Sequence, residues 1–184
     1  MDTHVIGIAG SLRRASYNRG LLRAAVLASP AGMTIEIAEI DELPLYNADV
    51  EAQGDPAAVR ALKERVGAAD GLLVATPEHN YSMPGVLKNT VDWLSRPARD
   101  SVLRQRPVVL VGASPGGFGT VRAQLALRQV FLFTDSLVLQ KPELWVSRAG
   151  ERFDGDGNLT DEAVRGELAT VLEAFAALIS RARA

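Results

Sequence analysis

No cysteine occurs among the 184 residues. That absence removes disulfides, thiolate zinc sites, iron–sulfur clusters and thiol catalysis together. Histidine is nearly absent too: His4 and His79 are the only two, so His79 has nothing to pair with as a metal ligand or base. Charge of one sign is not in excess. The net charge of −2 gives no global field favouring nucleic acid or an anionic membrane. No apolar run approaches the length of about 20 residues that spans a bilayer. The start Met1-Asp2-Thr3-His4 lacks the basic and apolar regions of a secretory signal, so the expectation is a cytoplasmic protein. What is present is ordinary for a folded chain: 47% hydrophobic and 23% charged residues, which argues against disorder. With no repeat or low-complexity tract, one domain over residues 1–184 is expected.

The hydrophobic pattern alternates between short buried runs and helical stripes. Val5-Ile6-Gly7-Ile8-Ala9 reads as a buried strand closed by Gly10-Ser11. Asn18 is placed to cap the next helix, in which Leu21, Leu22, Ala25 and Val26 share one face until Pro30 and Gly32 stop it. Residues 34–40 alternate polar and apolar, as a strand near a sheet edge does. The stretch 41–55 has weak periodicity and reads as a long loop. Pro56 opens a helix to about Ala69, and residues 71–76 form a second buried strand. Val86, Leu87, Val91 and Leu94 mark a helix, residues 107–113 a strand, and 121–133 another helix before a short strand near 137–139. Residues 150–158 read as a polar, glycine-rich, mobile loop. Thr160 is the expected cap of the last helix.

Strands alternating with helices imply a parallel sheet covered on both faces. Five such units fit the doubly wound order 2-1-3-4-5, in which ligands sit beyond the carboxyl ends of the strands, beside strand 1. Three loops then converge there: residues 10–18, 77–85 and 114–119.

The first loop puts Ser11, Arg13, Ser16 and Asn18 ahead of a helix N-terminus, where free N–H groups and the helix dipole favour an anion. Either these groups bind phosphate, with the planar fork of Arg13 on its oxygens, or Asn18 caps the helix and the arginines are merely solvated. Neither G-x-G-x-x-G nor G-x-x-x-x-G-K-[ST] occurs, and a cup rich in side chains suits a terminal phosphate monoester better than a pyrophosphate. The second loop, Pro77-Glu78-His79-Asn80-Tyr81-Ser82-Met83-Pro84-Gly85, is stiffened by prolines and leaves backbone donors for a planar heterocycle. Alternatives stay open here: His79 as a plain surface residue, Tyr81 as a core-edge aromatic, Glu78 as the cap of a following turn. In the third loop, Gly112-Ala113-Ser114-Pro115-Gly116 matches the G-x-S-x-G of a hydrolase nucleophile elbow. Pro115 cannot supply the oxyanion N–H, and both histidines precede Ser114, which argues against that chemistry. Gly116 and Gly117 better serve close approach to a flat ligand edge.

Taken together, Gly10-Ser11-Leu12-Arg13 with Ser16 and Asn18, the run Pro77 to Asn89, Asp92-Trp93, the loop Ser114 to Gly119 and Lys141-Pro142-Glu143 resemble the NADPH-dependent FMN reductase family. That family includes bacterial chromate, quinone and azo-dye reductases of flavodoxin-like fold. The resemblance covers nearly the whole chain. It implies FMN as cofactor, its phosphate among Ser11, Arg13, Ser16 and Asn18. The ring and ribityl chain would be wrapped by Pro77, Glu78, His79, Asn80, Tyr81 and Ser82, with Ser114, Gly116 and Gly117 along the other edge. It further implies a homodimer or homotetramer, with the loop at Leu45 and Tyr46 covering the neighbour's site. Where the family usually has tyrosine this chain has His79, which puts any stacking or hydroxyl role there in question.

The implied activity passes hydride from NADPH or NADH through flavin N5 to a small-molecule acceptor: a quinone, azo compound, free flavin or chromate. No protein acid or base is called for, because the flavin carries the chemistry. The alternative is a flavodoxin-type electron carrier, although such carriers are usually much more acidic. A phosphoryl-receiver domain is disfavoured, since the loops after strands 1 and 3 begin Gly10-Ser11 and Thr76-Pro77 rather than with acids.

Overall fold

A computed structural model describes residues 2–183. Strand β1 (Thr3–Ala9) is central, paired in parallel with β2 (Met33–Ala38) on one side and β3 (Gly71–Ala75) on the other. Strand β4 (Pro107–Ala113) follows β3, and β5 (Leu137–Val138) lies at the edge, giving the order β2-β1-β3-β4-β5. The register sets Val5 opposite both Ile35 and Gly71, and Leu73 opposite Val109. Every residue of β3 and β4 is buried, as continuous apolar runs require when helices cover both faces.

The fifth strand position differs from expectation. It is shared by two short pieces: β5 beside Pro107 and Val108, and β6 (Leu144–Val146) beside Val111 to Ala113. Within the stretch expected to be a plain loop, Asn47 caps a single turn, α2 (Ala48–Glu51), its side chain accepting from the Asp49 N–H.

Two cores flank the sheet. On one face, α1 (Tyr17–Leu27) and α6 (Glu162–Ala182) bring Leu21, Leu22, Leu172 and Phe175 onto Val5, Leu73 and Val109. On the other, α3 (Ala57–Ala68), α4 (Gly85–Leu94) and α5 (Val121–Phe133) bring Leu62, Val66, Leu87, Val91 and Phe131 onto Ile6, Leu72 and Leu110. Truncating a fully buried aromatic such as Phe175 to alanine costs about 3–5 kcal/mol in such cores. Val26, placed on the α1 stripe by spacing, lies partly outside it at 41% exposure.

Residues 150–158 are not a free loop. Ala149–Glu151 is a 3-10 turn, and Phe153 bridges Leu159 in antiparallel fashion, so the segment is a closed hairpin. The cap of α6 is Asp161 rather than Thr160: the Asp161 carboxylate accepts the Val164 N–H at 3.1 Å, while the Thr160 hydroxyl donates to the Arg152 carbonyl.

Candidate cofactor-binding site

Beyond the carboxyl ends of β1, β3 and β4 lies a cleft of about 650 Å³. That volume is in the range that takes a cofactor-sized ligand. Ser11, Arg13, Ser16, Asn18, Pro77 and His79 line it, from the first two loops. The end of β4 adds Ala113 to the lining and the third loop adds Pro115. Among the sequence candidates, Glu78, Asn80, Tyr81, Ser82, Ser114, Gly116 and Gly117 do not line this cleft. Leu12, Tyr17, Pro84, Gly85 and Val86 do, and were not among the candidates. Their signal was position alone, next to residues with polar groups.

The first wall is built for an anion. Gly10 N–H closes the strand by donating to the Ala75 carbonyl. After it, among the described residues, no protein acceptor meets the N–H groups of residues 11–16. They precede the first turn of α1, whose own N–H groups add the positive end of the helix dipole. The cap is Ser16, not Asn18: the Ser16 hydroxyl accepts the Arg19 N–H at 3.4 Å and is buried. Arg13 is exposed, its guanidinium 5.0 Å from the Tyr17 ring centroid.

Asn18 has a different task from capping. Its amide donates to the Ala113 carbonyl and accepts the Ala113 N–H, both at 2.9 Å and both buried. One side chain thereby joins the start of α1 to the end of β4, so two walls of the cleft are held at a fixed separation.

The second wall turns sharply. His79 and Ser82 exchange N–H···O bonds at 2.9 Å in each direction, and Asn80 and Tyr81 between them have φ of 50° and 69°. Two positive φ values make this a type I′ turn. Asparagine tolerates the left-handed region; a tyrosine there carries strain of about 1–3 kcal/mol that its surroundings must hold. Arg122 does so in part, with its guanidinium 3.8 Å from the Tyr81 centroid and 4.9 Å from that of Phe118. The Glu78 carboxylate accepts the N–H groups of Arg122 and Ala123 at 3.0 and 3.2 Å and ion-pairs with the Arg122 side chain. Glu78 is therefore the cap of α5 supplied from another segment, which anchors the turn to that helix.

The third loop is no nucleophile elbow. Ser114 is buried, and its hydroxyl accepts the Gly116 N–H at 3.3 Å. Its backbone is fixed to the segment after β5 by the Ser114 N–H on the Val146 carbonyl and the Ala149 N–H on the Ser114 carbonyl. No group of three or more His, Asp or Glu side chains able to hold a metal occurs among the described residues.

A parallel sheet with an anion-receptive helix N-terminus at its switch point, flanked by two backbone-rich loops, defines the class of flavodoxin-like nucleotide-binding proteins. The chain belongs to the NADPH-dependent FMN reductase family, whose pattern it matches over residues 3–151. It is 48% identical to the NAD(P)H-dependent FMN reductase of Pseudomonas aeruginosa, over 99% of this chain and 98% of that protein. It is 39% identical to a 2-hydroxy-1,4-benzoquinone reductase of a Burkholderia species, over 97% of each. A solved structure of the flavoenzyme NAD(P)H:(acceptor) oxidoreductase from Paracoccus denitrificans superposes with a TM-score of 0.88 at 32% identity, covering 97% of this chain and 98% of that one. The protein is accordingly an FMN-dependent NAD(P)H oxidoreductase. The donor set fits FMN: loop N–H groups, two serine hydroxyls and a guanidinium suit a phosphate monoester, and a cleft walled by Pro77, Pro84 and Pro115 suits a flat ring.

Proposed function

We propose that this cleft holds FMN with its phosphate in the 11–16 loop, and that quinones are the acceptors the enzyme reduces. The observation that carries the assignment is the uninterrupted run of N–H groups from residue 11 to residue 16 with no protein acceptor among the described residues, placed at the N-terminus of α1. Ser11, Arg13 and Ser16 add donors to the same cup. Asn18, engaged with Ala113, holds the cup against β4. The ring and ribityl chain would lie along Pro77 and His79, which line the cleft. Reaching the N–H groups of Glu78, Asn80 and Tyr81, unpaired among the described residues, or Ser82, Ser114, Gly116 and Gly117 would require the loops to close over the ring.

FMN, when bound, supplies the hydride chemistry, so the chain's work is to bind, orient and limit access. Glu78 keeps the ring loop against α5, and His79 contributes its backbone bridge to Ser82. That division of labour needs no particular side chain at His79. Quinones as acceptors rest on the Burkholderia relative, whose name gives such a substrate. Azo compounds, free flavins and chromate are further acceptors an open flavin face would admit.

A homodimer or homotetramer is part of the proposal, supported by apolar surface on α5: Leu132 and Phe133 are 80% and 83% exposed, and Leu125 lies exposed one turn pair earlier. Residues 1–184 would act as one domain, because every wall of the cleft hangs from one sheet. No helix among the described residues is long and apolar enough to cross a membrane. A cytoplasmic setting follows from the need for NAD(P)H.

The test is an anaerobic titration of the FMN-loaded protein with NADPH, then NADH, followed by benzoquinone. The expected result is loss of the yellow flavin band with at least one nicotinamide and its return with quinone. A flavin that stays oxidised with both nicotinamides would contradict the quinone reductase proposal and favour an electron carrier.

A further inference from the structure

The hairpin at residues 153–159 lies just past the segment that matches the family pattern, yet it is built against the phosphate loop. Its tip is closed tightly. The Asp154 carboxylate accepts the N–H groups of Asp156 and Asn158 at 3.0 and 2.8 Å, and the Asp154 N–H donates to the Asn158 carbonyl at 2.9 Å. Gly157 sits there with φ of 77°, and a Cβ on it would lie 3.0 Å from the Ala15 carbonyl carbon and oxygen and 3.2 Å from the Ser16 oxygen. A Cβ on Gly20 would collide with the Gly157 carbonyl oxygen. Both glycines are thus demanded by the same close approach of hairpin tip to α1. Arg23 on α1 fastens that contact, donating to the Asn158 side-chain oxygen and the Gly157 carbonyl, each at 3.1 Å.

The base of the hairpin reaches the cup through aromatic rings. Phe153 is 6% exposed, and its ring centroid is 5.1 Å from that of Tyr17. Tyr17 in turn carries the Arg13 guanidinium, 5.0 Å from its centroid. Among the described residues Arg13 has no carboxylate or carbonyl partner, so the Tyr17 ring is what restrains a long, rotamer-rich side chain.

We propose that Phe153 and the hairpin tip are positioning elements for phosphate recognition, setting Arg13 through Tyr17 and the 11–16 backbone through Gly157. This rests on the assignment of the FMN phosphate to that loop. Phe153 does not line the cleft, and neither does Asn158, so neither can act by direct contact with the phosphate. A hairpin that serves only the fold would affect every ligand of the cleft alike. One that serves the cup affects only ligands carrying a phosphate.

Dissociation constants of the full chain for FMN and for riboflavin separate these cases. The variants are Phe153→Leu, which removes the ring behind Tyr17, and the exposed Asn158→Ala, which frees the tip even if the first variant fails to fold. The expected result is FMN binding weakened about threefold to tenfold in each, the size of one lost aromatic contact for Phe153→Leu and of one lost hydrogen bond for Asn158→Ala, with riboflavin binding unchanged. With Arg13→Ala already in place, Phe153→Leu should weaken FMN binding by clearly less than it does alone. Equal weakening of FMN and riboflavin, or of neither, would overturn the proposal. If the unaltered protein bound the two flavins equally well, the cup assignment itself would fall, and the hairpin's role with it.

Discussion

Replacing Asn18 by alanine tests how the cleft is held together. The side chain makes two hydrogen bonds to one residue, Ala113, in a region where Asn18 is 2% and Ala113 1% exposed. Each bond is worth about 1 kcal/mol net, and a backbone group left buried without a partner adds a further cost of similar size. Removing both therefore costs about 3 kcal/mol, which for a chain of this length lowers the melting midpoint by about 6–12 °C. Urea titration and a thermal scan of the flavin-free protein measure this directly. Asn18→Asp sharpens the test. An ionised aspartate still accepts the Ala113 N–H but faces the Ala113 carbonyl with a second acceptor. Its pKa in the folded state is therefore raised above the unfolded value of about 3.9. The penalty is absent below that value, where both states are protonated, and grows as pH rises through the folded pKa. Asn18→Asp should recover stability relative to the unaltered protein on acidification, whereas Asn18→Ala should not. A loss below about 0.5 kcal/mol for Asn18→Ala would show that water satisfies Ala113 and refute the reasoning.

Three other outcomes are expected. Glu78→Ala strips α5 of its cap and should cost about 1–2 kcal/mol by urea midpoint, with Glu78→Gln, which keeps an acceptor, costing less; equal losses would show that charge alone matters. Gly112→Ala drives a Cβ into the Thr76 carbonyl and the Thr120 side chain and should destabilise by about 1–3 kcal/mol while weakening FMN binding; an unchanged melting midpoint would contradict the packing described. Asp154 is held below the usual carboxylate range by the N–H and then the side chain of Asn158, and Asp161 by Arg152 and then the Val164 N–H. Lowered folded-state values mean that this stabilisation is complete above about pH 4 and is lost as pH falls through them, so urea midpoints should drop in acid, less steeply for Asp154→Asn. A flat profile for the unaltered protein would be inconsistent with those contacts.

The parts of the fold legible in the sequence are those written in local pattern. The buried runs at 5–9, 71–75 and 107–113 announce a parallel sheet, and glycine and proline mark the three loops at its carboxyl end. The rest depends on contacts between distant segments. Ser16 and Asn18 are both good caps by residue type, and only the place of the Ala113 backbone, 95 residues away, assigns one to the helix and the other to β4. Glu78 reads either as a ligand contact or as the cap of a following turn until the N-terminus of α5 is seen beneath its carboxylate. Strand β6 is three residues long, too short for a period to show, and supplies a partner to the half of the β4 edge that lies beyond β5. The glycines at 155 and 157 suggest mobility by composition, whereas Gly157 is there because Ala15 and Ser16 leave no room for a side chain.

The assignment of FMN to the cleft lined from residues 10–18, 77–86 and 113–115 is tested most directly by a crystal structure of the protein grown with FMN. The phosphate should lie within hydrogen-bond distance of the N–H groups of residues 11–16 and of Arg13, with the ring between Pro77 and Pro115. A phosphate found at any other site, such as the groove beside Arg23 and Arg165, or a ring lying outside the three loops, would contradict the account.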